Sequence, residues 1–116
     1  MHKKVRLRAN ADFERLRREG RTLLHPLLVL SILPNGLEYS RFGFAVGRRL
    51  GKAVERNRIK RRMREIIRMR MQKGEIAAGW DVVFIARHPM REASFYQVDE
   101  AIGLLLRRAG LMSEAS

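Results

Sequence analysis

One long amphipathic helix constrains the fold of this chain more than any other feature of its sequence. Residues 51–73 read GKAVERNRIKRRMREIIRMRMQK, and their apolar side chains recur at helical spacing. Such a stripe needs a core to pack against, which the rest of a 116-residue chain must supply. We expect one core and one domain, because the chain is too short for two. The predicted stripe is Ile59, Met63, Ile66, Ile67 and Met71.

The remaining surface of this helix is rich in cations. Ten of its 23 positions are Arg or Lys and only two are Glu. Equal charges three or four residues apart destabilise a helix, so the pattern indicates a polyanion that compensates them. Arg58 and Arg62 form one row with Glu65 between them, whereas the neighbouring row contains no acid. That acid-free row, within about 60° on the helix, is Asn57, Arg61, Arg64 and Arg68.

The composition of the whole chain is also biased toward positive charge. Lys and Arg number 25 against 12 Asp and Glu, which gives a net charge of +13. Nucleic acid and an anionic membrane surface are the two partner classes that fit. No segment is long and apolar enough to span a bilayer, and no signal peptide follows the basic N-terminus. The absence of Cys fits a reducing compartment, so we expect a cytoplasmic protein without a membrane partner.

Caps, turns and periodicity predict the other elements. Pro26 divides a β-like segment, and the turn at residues 34–36 predicts a hairpin between the strands that flank it. The resulting order is α-β-β-β-α-β-α, with the helices packed on one sheet. The predicted elements are a helix over 11–19, β structure over 21–33, strands over 39–46 and 82–86, and a helix beginning at the Ser94 capping box.

No constellation for protein-based catalysis can be found. The carboxylates are scattered, without the clustering that two-metal hydrolysis needs. The three histidines are isolated, and no Ser-His-Asp arrangement can be argued. We therefore predict no catalytic residue, no metal ligand and no cofactor bound by the protein alone.

The residues from Phe42 to Glu65, FGFAVGRRLGKAVERNRIKRRMRE, closely resemble the signature region of the bacterial ribonuclease P protein subunit. The core of that signature stands complete as Arg56-Asn57-Arg58-Ile59-Lys60-Arg61. The resemblance extends over roughly residues 5–110. The matching segments outside the signature are Leu7, Asn10-x-Asp12-Phe13, Leu28-Val29-Leu30 and Ile85-Ala86-Arg87-x-Pro89.

This resemblance implies an α+β sandwich with one mainly antiparallel sheet of about four strands and three helices. A β-α-β crossover, left-handed in the family, would run through the basic helix. In that family a catalytic RNA uses magnesium ions to remove the 5′ leader of precursor tRNA. The protein subunit binds that RNA and holds the single-stranded leader. We thus expect residues 1–116 to form one RNA-binding domain, with a basic segment at 1–9 and a tail at 111–116.

The resemblance and the basic row together give two sets of predicted RNA-binding residues. The leader cleft is expected to contain Phe13, Arg17, Asn57, Lys60, Arg61, Arg64 and Arg68. The signature and the Gly-flanked loop before the helix add Arg48, Arg49, Lys52, Arg56, Arg58 and Arg62. Without the resemblance, the sequence favours Phe13 as a core residue paired with Leu16.

Three positions depart from the family pattern. Arg17 and Ser31 stand where the family often has aromatic residues, and Gly47 where it commonly has Ser. Base stacking is therefore expected to be weaker here and ionic contact stronger. The main alternative function is a structural RNA-binding protein, such as a ribosomal protein. A membrane-surface role ranks below it, because the core would use the apolar stripe.

Overall fold

A computed structural model describes residues 3–7 and 10–112, and it contains the predicted order of seven elements. Short 3₁₀ turns at Lys3–Val5, Arg48–Leu50 and His88–Glu92 complete the chain path. The main elements are α1 (Asn10–Glu19), β1 (Arg21–Leu24), β2 (Leu28–Pro34), β3 (Arg41–Ala45), α2 (Ala53–Gln72), β4 (Trp80–Ala86) and α3 (Phe95–Arg108).

The four strands form one mixed sheet in the order β1-β2-β4-β3. β1 and β2 form an antiparallel hairpin around Pro26, β2 pairs with β4 antiparallel, and β3 pairs with β4 in parallel. The predicted hairpin between β2 and β3 is therefore wrong, although the chain does turn at Gly36 with a φ of 71°. The reason is that β4 is an unbroken apolar strand, which is most stable in the centre of a sheet.

The main core lies between one face of the sheet and the two longer helices. The apolar stripe of α2 is confirmed, since Ile59, Met63, Ile66 and Ile67 are buried and Met71 is partly buried. The capping box of α3 is also confirmed. Ser94 Oγ accepts a hydrogen bond of 3.1 Å from the amide of Gln97, whose side chain accepts one of 2.8 Å in return.

The opposite face of the sheet carries α1 and the N-terminal segment. A second apolar cluster here contains Leu7, Leu16 and Val83, with Phe13 packed against it. The amide of Leu7 donates to the carbonyl of Phe42 at 2.7 Å, which holds the segment along β3. α1 is thus fixed over the sheet face next to β3, where the predicted cleft residue Phe13 lies.

Both predicted terminal segments extend beyond the described residues. In the basic segment 1–9, residues 1, 2, 8 and 9 lie outside them, whereas Val5 and Leu7 are buried. In the tail 111–116, residues 113–116 lie outside them. Leu111 is fully buried in the main core and Met112 bridges to Ile76, so these two residues belong to the packed domain.

Candidate nucleic-acid interface

The ring of Phe13 lies on the sheet at the edge of a cleft. α1 places the side chain over Gly43 of β3, where a Cβ atom would come within 2.5 Å of Phe13 Cε1. The ring is half-buried, because it also packs against the cluster of Leu7, Leu16 and Val83. The two sequence interpretations of Phe13, core residue and cleft residue, therefore describe two sides of the same ring.

The cleft beside this ring joins aromatic and cationic groups from four parts of the chain. It has a volume of about 260 Å³. Phe44 is fixed in its wall by stacking on the buried ring of Phe84, with 5.7 Å between the ring centroids. The lining residues are Arg6, Leu7, Phe13, Phe42, Phe44, Lys60 and Arg64. The structure thus brings three of the predicted cleft residues, Phe13, Lys60 and Arg64, to one opening.

Arg64 lines the cleft one helical turn after Lys60. Its side chain is half-buried, and its Nε atom is buried. Within residues 3–7 and 10–112, no atom accepts a hydrogen bond from that Nε. Arg15 and Arg56 each have a buried Nε in the same situation, so this feature is shared by three arginines and is not specific to the cleft.

The other predicted residues of the cleft set on α2 lie farther outward. Asn57 and Arg61 are exposed. Arg68 is ion-paired with Glu65, and its Nε donates to Glu65 Oε2 at 3.0 Å. This hydrogen bond from Arg68 lowers the pKa of Glu65. Glu65 was predicted to lie between Arg58 and Arg62. Because it pairs with Arg68 instead, the row without an acidic partner is shorter in the structure than predicted.

A second pocket adjoins the cleft on the other side of Phe13. It has a volume of about 150 Å³ and lies between α1 and the open face of the sheet. Arg17 lines it together with Ser31, the two positions where the family often has aromatic residues. Arg17 is paired with Glu14 at 2.6 Å and is exposed. The guanidinium of Arg17 and the hydroxyl of Ser31 therefore occupy the positions where the family often has aromatic rings.

The other signature arginines of α2 differ in their exposure and in the direction of their side chains. Arg56 is half-buried and Arg58 is exposed. Arg62 turns away from the cleft and donates a hydrogen bond of 2.7 Å to the carbonyl of Ala93. This contact ties α2 to the turn that precedes α3, which gives Arg62 a structural role in addition to its predicted one.

The loop before α2 exposes its three predicted cations, Arg48, Arg49 and Lys52. Gly51 has a φ of 126°, a conformation that side-chain-bearing residues rarely adopt. This geometry lets the chain turn sharply from the 3₁₀ turn into α2. The loop cations therefore stand at the N-terminus of the basic helix, where free amides also attract anions.

The sequence analysis missed one buried ionic group, which is centred on Asp81 at the start of β4. This residue is 0% exposed. It accepts hydrogen bonds from Arg41 at 2.8 and 2.7 Å, from Arg15 at 2.8 Å and from Asn35 at 3.0 Å. Burial raises the pKa of Asp81, but the hydrogen bonds and charges of these partners outweigh burial and lower it overall. The sign of this group in the sequence is an Asp directly before the apolar run of residues 82–86.

The described part of the chain contains neither a candidate metal site nor a candidate membrane span. Residues 3–7 and 10–112 contain no group of three or more His, Cys, Asp or Glu side chains that could hold a metal ion. Within the same residues, no helix combines the length and apolar character that crossing a membrane requires.

Comparisons with known proteins identify the family. A family model described as Ribonuclease P matches residues 1–110. The chain is 46% identical over 116 residues to the ribonuclease P protein component of Roseiflexus castenholzii, covering 99% of this chain and 93% of that protein. This match does not favour a ribosomal protein.

Solved structures agree with the sequence comparison. The ribonuclease P protein of Staphylococcus aureus superposes with a TM-score of 0.84 at 30% identity, covering 94% of this chain and 98% of that one. The ribonuclease P protein of Thermotoga maritima gives a TM-score of 0.80 at 37% identity, covering 89% and 96%. The fold, the signature region and the near-complete coverage agree, and the chain therefore belongs to the ribonuclease P protein component family.

Proposed function

We propose that the chain binds the 5′ leader of precursor tRNA in the cleft between α1, β3 and α2. The observation that carries this proposal is that the Phe13 ring and the cations Lys60 and Arg64 line the same cleft. A single-stranded nucleic acid needs both kinds of group. Its bases stack on aromatic faces without regard to identity, and its phosphates pair with cations along the same groove.

Arg64 supports a phosphate contact, because its half-buried side chain lines the cleft together with Lys60. A charge-assisted hydrogen bond between a guanidinium and a phosphate oxygen is stronger than a neutral one. The replacement of aromatic residues by Arg17 and Ser31 on the other side of Phe13 supports a binding mode with fewer stacks and more ionic contact. The leader is thus held mainly through its backbone.

The second partner we propose is the catalytic RNA of ribonuclease P. The exposed loop cations and Arg58 lie outside the cleft, so they offer a separate basic surface for a structured RNA. In this scheme the RNA subunit carries the magnesium-dependent cleavage and the protein improves substrate binding. The place of action is then the cytoplasm, where bacterial tRNA precursors are made.

A reconstituted cleavage assay tests this function. The catalytic RNA from the same organism is combined with the protein and a precursor tRNA at low magnesium concentration. We expect the protein to stimulate removal of the leader, and to bind precursor tRNA more tightly than mature tRNA when assembled with the RNA. Unchanged cleavage, or equal affinity for the two tRNAs, contradicts the proposal.

A further inference from the structure

The buried carboxylate of Asp81 connects three segments of the chain, and two of them, α1 and β3, contribute residues to the leader cleft. Arg15 reaches it from α1, Arg41 from β3, and Asn35 from the loop between β2 and β3. Asp81 itself stands on β4, one of the two inner strands. One side chain thus fixes the relative positions of a helix, two strands and a loop.

Two of these contacts lie next to the residues that form the aromatic edge of the cleft. Arg15 follows Phe13 by two positions on α1, and Arg41 precedes Gly43 by two positions on β3. Arg41 and Gly43 point to the same face of the sheet, because alternate residues of a strand share a face. Asp81 is the cross-strand partner of Arg41 in the parallel pair, so it lies on that face as well.

Stability alone does not account for a group of this kind. Replacing a buried ion pair by apolar residues of similar volume is often neutral or stabilising, because the charges lose their hydration. An apolar contact, however, allows a helix to slide or rotate on the sheet. The two hydrogen bonds from Arg41 and the bond from Arg15 instead fix both distance and direction.

We propose that Asp81 is a positioning residue for leader recognition, which acts through Arg15 to hold the ring of Phe13 against Gly43 at the mouth of the cleft. This inference rests on the proposed function, since it assumes that Phe13 stacks on the leader. It assigns to Asp81 no contact with RNA. The carboxylate is fully buried, and its effect reaches the substrate only through the orientation of α1.

Arg15→Ala is the most informative variant. The Arg15 side chain is 39% exposed, so its removal releases α1 from Asp81 without opening a large cavity. Arg18→Ala is the matched control, because it removes the same charge from an exposed position on the same helix. Arg15→Lys keeps the charge and one donor, and it should restore most of the effect if the bond to Asp81 is what matters.

The quantity to measure is the ratio of affinities for precursor and mature tRNA, with the protein assembled on the catalytic RNA. We expect Arg15→Ala to lower this ratio about fivefold, the lower end of what one lost base–aromatic stack contributes. Arg18→Ala should leave the ratio unchanged. A denaturant titration of each variant verifies that the folded state is retained.

A double variant separates positioning from direct RNA contact. If Arg15 acts through Phe13, Arg15→Ala should produce no further loss in a Phe13→Ala background. Additive losses, or an unchanged ratio in the single variant, overturn the inference. Failure of the proposed function itself has a different result: the wild-type protein then shows no preference for precursor tRNA, and Phe13→Ala changes nothing.

Discussion

The Phe13 ring rests on Gly43 so closely that a Cβ at position 43 would lie 2.5 Å from Cε1 and 3.0 Å from Cζ. The glycine thus provides the flat surface on which the ring lies. The ring in turn separates the cleft next to Lys60 and Arg64 from the pocket next to Arg17. The position of one aromatic side chain therefore depends on the absence of a methyl group on the strand below it.

Gly43→Ala should displace the Phe13 ring, since the new methyl group also comes within 3.2 Å of Leu7 Cβ. We expect a loss of about 1–3 kcal/mol in the free energy of unfolding, typical of an overpacked site. The affinity for precursor tRNA should fall more than that for mature tRNA. Gly47→Ala is the control, because a Cβ there meets no atom within 4 Å and the residue is extended, with a φ of −69°. Equal stability of the two variants would contradict the close contact.

Phe13→Ala should weaken binding of precursor tRNA by roughly 1–3 kcal/mol, the contribution of one stacked base. Binding of mature tRNA, which has no leader, should hardly change. The ring is only half-buried, so the loss of stability should be smaller than the roughly 3–5 kcal/mol of a fully buried Phe. Tyr96→Ala, which removes an aromatic residue that is 83% exposed on α3, is the control and should affect neither RNA. A large loss of stability with equal weakening of both RNAs would assign Phe13 to the core alone.

Arg64→Ala should flatten the salt dependence of leader binding. Each lost phosphate contact should reduce the slope of log K against log salt by about 0.7 for a single strand. Arg61→Ala should also flatten the salt dependence. Arg68→Ala should have a smaller effect, because Glu65 already compensates that guanidinium. Identical slopes for the wild type and Arg64→Ala would show that Arg64 makes no phosphate contact.

Asp81 should make the folded state sensitive to acid. Its folded-state pKa lies below its ordinary value of 3.8, so the unfolded chain binds this proton first as the pH falls. The contribution of Asp81 to stability is complete above about pH 4 and is lost as the pH falls through the folded-state pKa. In Asp81→Asn the free energy of unfolding should be lower by about 1–3 kcal/mol at neutral pH, with a flatter acid limb. Denaturant titrations from about pH 7 to about pH 2 measure both quantities. An acid limb as steep as that of the wild type would contradict the assignment.

Local patterns in the sequence were sufficient to predict the helices and strands and the cationic side of the site on α2. The α2 stripe and the Ser94 capping box depend on residues three or four positions apart, so the sequence predicts them directly. The placement of Lys60 and Arg64 opposite Phe13 came from the family resemblance, because it requires α1 and α2 to meet across β3. No spacing along the chain contains that information.

The family resemblance implied the β-α-β unit of β3, α2 and β4. Local sequence patterns could predict neither the full strand order nor the Asp81 group, for the same physical reason. The partner strand of β3 is chosen by burial of the whole sheet, and the apolar β4 takes the centre although a turn signal follows β2. Arg15 and Asp81 are 66 positions apart and meet only once that order exists. Charged residues beside apolar runs are ordinarily read as strand ends, and a buried ionic contact becomes visible only in three dimensions.

The central place of β4 also determines when the protein can fold. Among the described residues, β3 pairs only with β4 and with the bridge at Arg6, so it has no sheet to join while the ribosome is still making α2. The hairpin of β1 and β2 can pair earlier, but β3 is joined to it only when residues 80–86 emerge. That pairing closes long loops, which makes this step slow. During that interval α2 lacks the complete core beneath its apolar stripe, and its cations are already open to any polyanion. The nascent chain therefore carries its attraction for polyanions before it has the structure that would select among them.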